Sequence, residues 1–294
     1  AGIVPDVVPA DRLQTANGLL GLGANSARIA GLLLSGGAVV MFGGGAALVV
    51  SAVLFGTAGS IVAALRLTKA QRDAAAKHSV LADLRVGWRE FSSRQWLWVV
   101  VAQFSILIMA LQAAHGVLGP VVAKRYLGGA PAWSAVLAGE AFGTIVGVII
   151  ALRLRPRRPL LLATLVTFPT AFPYLLLGLG TPLWTIVTGA FLMGVSFDIF
   201  GVMWNTTMQR EIPPEALSRV TSYDALGSLM FGPIGLLLAG PATVVVGPRP
   251  ALLGCAALIV LTTCAALLSP SVRELRAPEP VHAVSPADAL TAAP

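Results

Sequence analysis

Charge is absent from this chain over long runs, and where it returns it is basic on every second connection. Residues 29–65, 96–123, 159–197, 225–248 and 250–272 contain no Asp, Glu, Lys or Arg. A bilayer core about 30 Å thick takes roughly 20 apolar residues per helix, so the longest runs each hold two helices joined by a turn. Gly43-Gly44-Gly45 and Gly178-Leu179-Gly180-Thr181-Pro182 supply the turns. The pattern is that of an all-α polytopic membrane protein.

Charged residues make up only 11% of the 294 positions, against about 25% in soluble domains. No water-soluble core hides that much apolar surface. A net charge of +7 would suggest a nucleic-acid partner in a soluble protein. Here the basic residues sit in short loops beside apolar spans, so they serve orientation and no nucleic acid is expected. Cys255 and Cys264 share one apolar segment. Nine helical residues separate them by about 13 Å along the axis, too far to pair, and no redox role, metal or cofactor follows.

Eight transmembrane helices are expected, over 13–40, 46–66, 96–117, 132–152, 160–177, 183–206, 215–240 and 251–268. Placing their connections alternately on two sides puts 16 Lys and Arg residues on one side and 3 on the other, leaving Arg28 inside a span. A missed or extra span would scramble that asymmetry. Both termini are therefore expected in the cytoplasm of a multi-pass plasma-membrane protein. The expected domains are 1–66, the last two helices of an N-terminal bundle; 67–95, a cytoplasmic linker; 96–268, a six-helix bundle; and 269–294, a disordered tail rich in Ala and Pro. In the linker, Leu81, Leu84, Trp88 and Phe91 recur at helical spacing, as in an interfacial amphipathic helix.

Polar side chains inside a span are costly and face protein or a water-filled cavity. The first helix has Asn25 and Arg28, the third Gln103, Gln112 and His115, the fourth Glu140, the sixth Asp198 and Asn205, and the seventh Tyr223 and Asp224. The second, fifth and eighth carry nothing stronger than Ser, Thr or Cys, so those three are expected toward lipid. Ala135, Gly139, Gly143, Gly147 and Ala151 repeat every four residues in the fourth helix, and Gly23, Ala27, Gly31 and Ser35 do so in the first. Such stripes let backbones approach closely, so the two helices are expected to pack together. That places Arg28 and Glu140 at similar depth as an ion pair, with Glu140 alternatively a proton-coupling carboxylate. His115 reads as an interfacial histidine.

Gln209, Pro214-Glu215, Arg219-Val220 and Gly232-Pro233-Ile234-Gly235 form the most specific segment of the chain. Locally, the prolines stop one helix and start the next, whose positive end Glu215 complements. The segment resembles the loop between helices ten and eleven, with helix eleven, of the major facilitator superfamily, in particular a bacterial branch of drug and siderophore exporters. Val8-Pro9, Ala16-Asn17 and the stretch through Gly31 and Ser35-Gly36-Gly37 are similar to helix five of that family, without the proline of its antiporter signature. Residues 153–159 stand where its basic loop between helices eight and nine falls, but lack the Asp and Gly of the full motif. The resemblance implies a truncated bundle equivalent to helices five to twelve of twelve, with the first four missing from this chain.

It further implies an alternating-access secondary transporter for efflux of a small amphipathic molecule, coupled to an ion, with protons the candidate. Its partners would be that small molecule and the lipid bilayer. Cavity candidates are Gln103, Gln112, Asp198 and Asn205; coupling or ion-pair candidates are Arg28 and Glu140. Arg153, Gln209, Arg219 and Asp224 are candidates for gates and loops. No GxxxxGK[ST] loop is present for ATP. A membrane enzyme is disfavoured because His78, His115 and His282 fall in the linker, near the outer face and in the tail. A non-transporting scaffold is the second alternative, since a chain lacking four helices would be inactive alone.

Overall fold

The computed structural model describes residues 8–9, 12–64 and 80–277. Its order is α1 (Leu13–Ala64), α2 (Val80–Ser93), α3 (Gln95–Ala113), a π-helical turn (Ala114–Leu118) and α4 (Gly119–Tyr126), which continues α3. Next come α5 (Ala130–Arg153), α6 (Pro159–Leu165), a tight 3-10 turn (Phe168–Ala171) and α7 (Phe172–Leu179). They are followed by α8 (Leu183–Glu211), α9 (Pro214–Leu229), α10 (Gly232–Val245), α11 (Pro248–Leu268) and α12 (Pro270–Glu274). Six segments between Gln95 and Leu268 are long and apolar enough to cross a membrane. They coincide with the third to eighth expected spans, so the chain is an all-α membrane bundle.

The first two expected spans appear differently. Leu13–Ala64 is one continuous helix of 52 residues, with no turn at the glycine triplet. Glycine permits a turn without compelling one, and no proline interrupts this stretch. At 1.5 Å per residue the rod is about 78 Å long, more than twice the bilayer core.

Two buried clusters hold the bundle together. Near the arginine-rich end, Trp96, Leu97, Leu160, Met203, Met208, Leu217 and Val272 pack together. Toward the other end lie Leu107, Leu118, Val122, Tyr174, Leu177, Ile186 and Leu252. The exposed apolar surface of Leu237, Val244, Val245 and Leu261 suits lipid contact.

The tightest seam joins α5 to α8. Cβ atoms added to Gly143 and Gly147 would press into the backbone at Phe191 and Val195, and one added to Gly194 would strike the Glu140 carbonyl. The stripe of α5 thus packs on α8 and not on the stripe of α1, around whose Gly23 and Gly31 there is open space. A row of small residues specifies close approach but not the partner. Helix α1 does touch α5 nearer the basic end, where Gly18 meets Leu152 and Gly21 meets Val148.

The division of spans by polarity also changes. The span Pro159–Leu179 is half buried over its most apolar stretch, whereas Pro214–Val245 is only 17% buried. The reason is threonine: Thr164, Thr167 and Thr170 are all buried, each donating its hydroxyl to a carbonyl of the preceding turn. So satisfied, a threonine packs inside as readily as an apolar residue.

Helix α2 lies on α9. Gly87 lets it approach Arg219 and Tyr223, while Phe91 is buried and Trp88, at 55% exposure, lies tilted against the Tyr223 ring at 5.7 Å. The expected disorder from Ser269 does not hold for the first turn of the tail. Pro270 starts α12, which fully buries Val272, and the Ala277 amide donates to the Arg157 carbonyl at 2.9 Å. Residues 278–294 lie outside the described residues.

Candidate functional site

The candidate residues do not converge on one cavity. Gln103 is 3% exposed, with its amide nitrogen donating to Thr167 Oγ1 at 3.1 Å and Thr263 Oγ1 at 3.2 Å. The two hydroxyls are themselves 3.2 Å apart, so α3, α11 and the break after α6 are tied together inside the bundle. Gln112, one face further along α3, packs against Gly232. Asn205 donates to the Gly201 carbonyl of its own helix at 2.8 Å, and Asp198 is half-buried on the same helix.

Asp224 accepts from Trp204 Nε1 at 3.1 Å and from Ser228 at 3.4 Å. Trp204 in turn meets Trp96 edge-on at 5.7 Å and Phe200 at 5.9 Å. A carboxylate in a span is thus held by an aromatic wall joining α3, α8 and α9. Arg219 is half-buried under α2, and Arg153 stands exposed at the end of α5.

Glu140 faces His115. Its Oε2 lies 3.7 Å from His115 Nε2, and the phenol of Tyr174 is 3.4 Å from the other ring nitrogen. Both partners of the carboxylate–imidazole pair are largely shielded, at 20% and 25% side-chain exposure. Trp133 meets the imidazole edge-on at 5.3 Å, admitted by Gly119, where a Cβ would collide with the indole. His115 sits in the π-helical turn, a local widening that turns its ring toward α5. The other expected partner of Glu140, the Arg28 side chain, lies outside the described residues, as does Asn25.

Depth along the span marks His115 only as interfacial, so the sequence does not reveal this pair. The signal available was its 3.6-residue phase with Gln112 and Leu118, which a π turn shifts. Thr167 and Thr263 carried no signal beyond being polar in an apolar run.

Gln209 is 7% exposed and forms a reciprocal amide pair with Asn17 of α1. Asn17 also donates to Thr206 Oγ1 at 3.3 Å. Beside it, Gln14 donates to the Ala151 carbonyl at 2.6 Å and to that of Leu154. These contacts join α1 to α5 and α8 at the basic end. Outside them opens a cleft of about 2020 Å³, bounded by the start of α1, the loop 154–158, the end of α8 and Arg276.

At the opposite end, the Arg249 guanidinium lies 4.0 Å over the Tyr126 ring and against Gly180, whose positive φ of 72° ends α7. Three connections therefore meet at the end poor in basic residues. No group of three or more His, Cys, Asp or Glu able to hold a metal occurs among the described residues.

The family model described as the Major Facilitator Superfamily matches residues 1–232. No curated protein and no solved structure matches the chain.

Proposed function

The chain belongs to the major facilitator superfamily, and from that membership in a family of membrane transporters we propose a proton-coupled exporter of a small amphipathic molecule. It works by alternating access, one bundle rocking against the other. The observation that carries proton coupling is the approach of Glu140 to His115 at 3.7 Å between two membrane spans. Ionisable side chains inside a membrane span mark ion pathways, and a carboxylate facing an imidazole in a shielded site supplies two such groups.

In this reading Asn17 and Gln209 close the cytoplasmic side, with Arg153, Arg219 and Asp224 governing the loops around it. Gln112, Asp198 and Asn205 face the substrate route in other states of the cycle, and Gln103 steadies the bundle around it. Arg28 is the alternative partner of Glu140. The charge asymmetry supports a cytoplasmic position for the arginine-rich end of a plasma-membrane protein. The residues quoted for the resemblance support equivalence to helices five to twelve, with transport requiring the other four. Nothing in this reading uses catalysis or nucleic acid.

The test is reconstitution into proteoliposomes, with four preceding helices supplied, and a panel of amphipathic molecules under an imposed pH gradient. Substrate-dependent proton movement is the expected result. Gradient-independent accumulation of every compound in the panel would overturn the coupling.

A further inference from the structure

We infer that the cleft at the basic end is a binding site for an amphipathic anion. Arg155, Arg157, Arg158, Arg210 and Arg276 line it, against one carboxylate, Glu211. None of the five arginines has an ion-pair partner among the described residues, whereas Arg94, also on the rim, is engaged by Glu90 at 2.5 Å. Orientation in a membrane requires only that basic residues lie in the loops of one side. It does not require loops from three parts of the chain to bring theirs to one cleft. The α5–α6 loop, the end of α8 and the chain after α12 do so here. Guanidinium groups so gathered repel one another, and a carboxylate or phosphate relieves that repulsion while accepting paired hydrogen bonds from their forks.

The apolar lining defines the rest of the ligand. Leu161, Leu162, Leu165 and Met203 line the same cleft as the arginines. A site lined by both cationic and apolar side chains matches a molecule with an anionic head and an apolar body. At about 2020 Å³ the cleft exceeds the roughly 300–1,000 Å³ of ordinary small-molecule sites, so both parts fit. A soluble cargo and an anionic phospholipid share this chemistry. The Asn17–Gln209 pair lies next to the cleft, so a ligand bound there stands at the junction of α1 with the bundle.

The test is equilibrium binding to the purified full chain in nanodiscs of phosphatidylcholine, with dodecyl phosphate and dodecyltrimethylammonium as matched probes. Dodecyl phosphate should bind about tenfold more tightly or better, and the preference should shrink as salt is raised. The triple variant R155Q/R157Q/R158Q should lower dodecyl phosphate affinity about tenfold, and R155K/R157K/R158K should retain most of it. R276Q, in the tail and away from any span, should weaken binding without touching membrane orientation. Equal binding of the two probes to the unsubstituted chain would overturn the site, as would unchanged dodecyl phosphate affinity in both R276Q and the glutamine triple variant.

Repeating the measurement in phosphatidylglycerol nanodiscs separates the sources. Loss of dodecyl phosphate binding there assigns the site to the lipid headgroup, and its persistence assigns it to a soluble anion; either result upholds the anion site. Binding is read without turnover, so it is distinguishable from failure of the transport reading.

Discussion

The carboxamides of Asn17 and Gln209 face one another across 192 residues of chain, Asn17 Nδ2 donating to Gln209 Oε1 at 2.7 Å and Gln209 Nε2 returning a bond to Asn17 Oδ1 at 3.2 Å. Removing either amide leaves the other half-satisfied in a buried position. Two such bonds are worth about 2 kcal/mol together, a shift of roughly thirtyfold in the balance between closed and open arrangements. Asn17→Ala should therefore raise the reactivity of a cysteine at Thr206 toward a membrane-impermeant maleimide added from the cytoplasmic side. Unchanged labelling would remove the latch role.

Glu140→Gln keeps the shape of the side chain and its hydrogen-bonding reach but cannot take up a proton. Proton-driven transport should fall by about tenfold or more, with substrate exchange in the absence of a gradient preserved. His115→Gln should reproduce the split. Loss of exchange together with driven transport in both variants would assign the pair to structure alone.

The seam between α5 and α8 is set by backbone contact, so it tolerates no added volume. Gly143→Val forces its side chain into the Phe191 carbonyl, and overpacking of this kind costs about 1–3 kcal/mol or more. Thermal unfolding in detergent should show a clear drop for Gly143→Val. Gly31→Val, where nothing lies within 4 Å, should leave the transition in place.

A 52-residue helix of about 78 Å cannot lie within one crossing of a bilayer. A continuous rod entering from the basic end of the bundle leaves the bilayer core before Gly56, so a cysteine there should react with an impermeant reagent from the side opposite the basic loops, and one near Gly31 from neither side. Protection at Gly56 with labelling at Gly43 to Gly45 would show instead that the chain turns at the glycine triplet in a membrane.

The bundle was legible in the sequence because solvent dictates it: where water is absent charge is rare, and the spans from Gln95 to Leu268 fall on charge-free runs or on apolar stretches with a few isolated charges such as Glu140, Asp198 and Asp224. Partnerships were not legible for the same reason, since lipid gives no hydrophobic preference for one neighbour over another. The glycines of α5 announced a close contact, yet only the packed structure identifies α8 as its occupant. Glu140 stands out in the sequence as an acid within a span, while its facing histidine depends on a π-helical turn that leaves no compositional trace. The threonines show the limit of a polarity census. Thr167 and Thr263 return their hydroxyl protons to their own helices and use the remaining lone pairs to receive Gln103.

The convergence of Tyr126, Gly180 and Arg249 gives the bundle unequal mechanics along its length. One end is pinned by a cation resting on an aromatic ring, and the other gathers like charges around an open cleft. Lateral tension in the surrounding lipid would then splay the charged end first, making the molecule compliant at its mouth and stiff at its base.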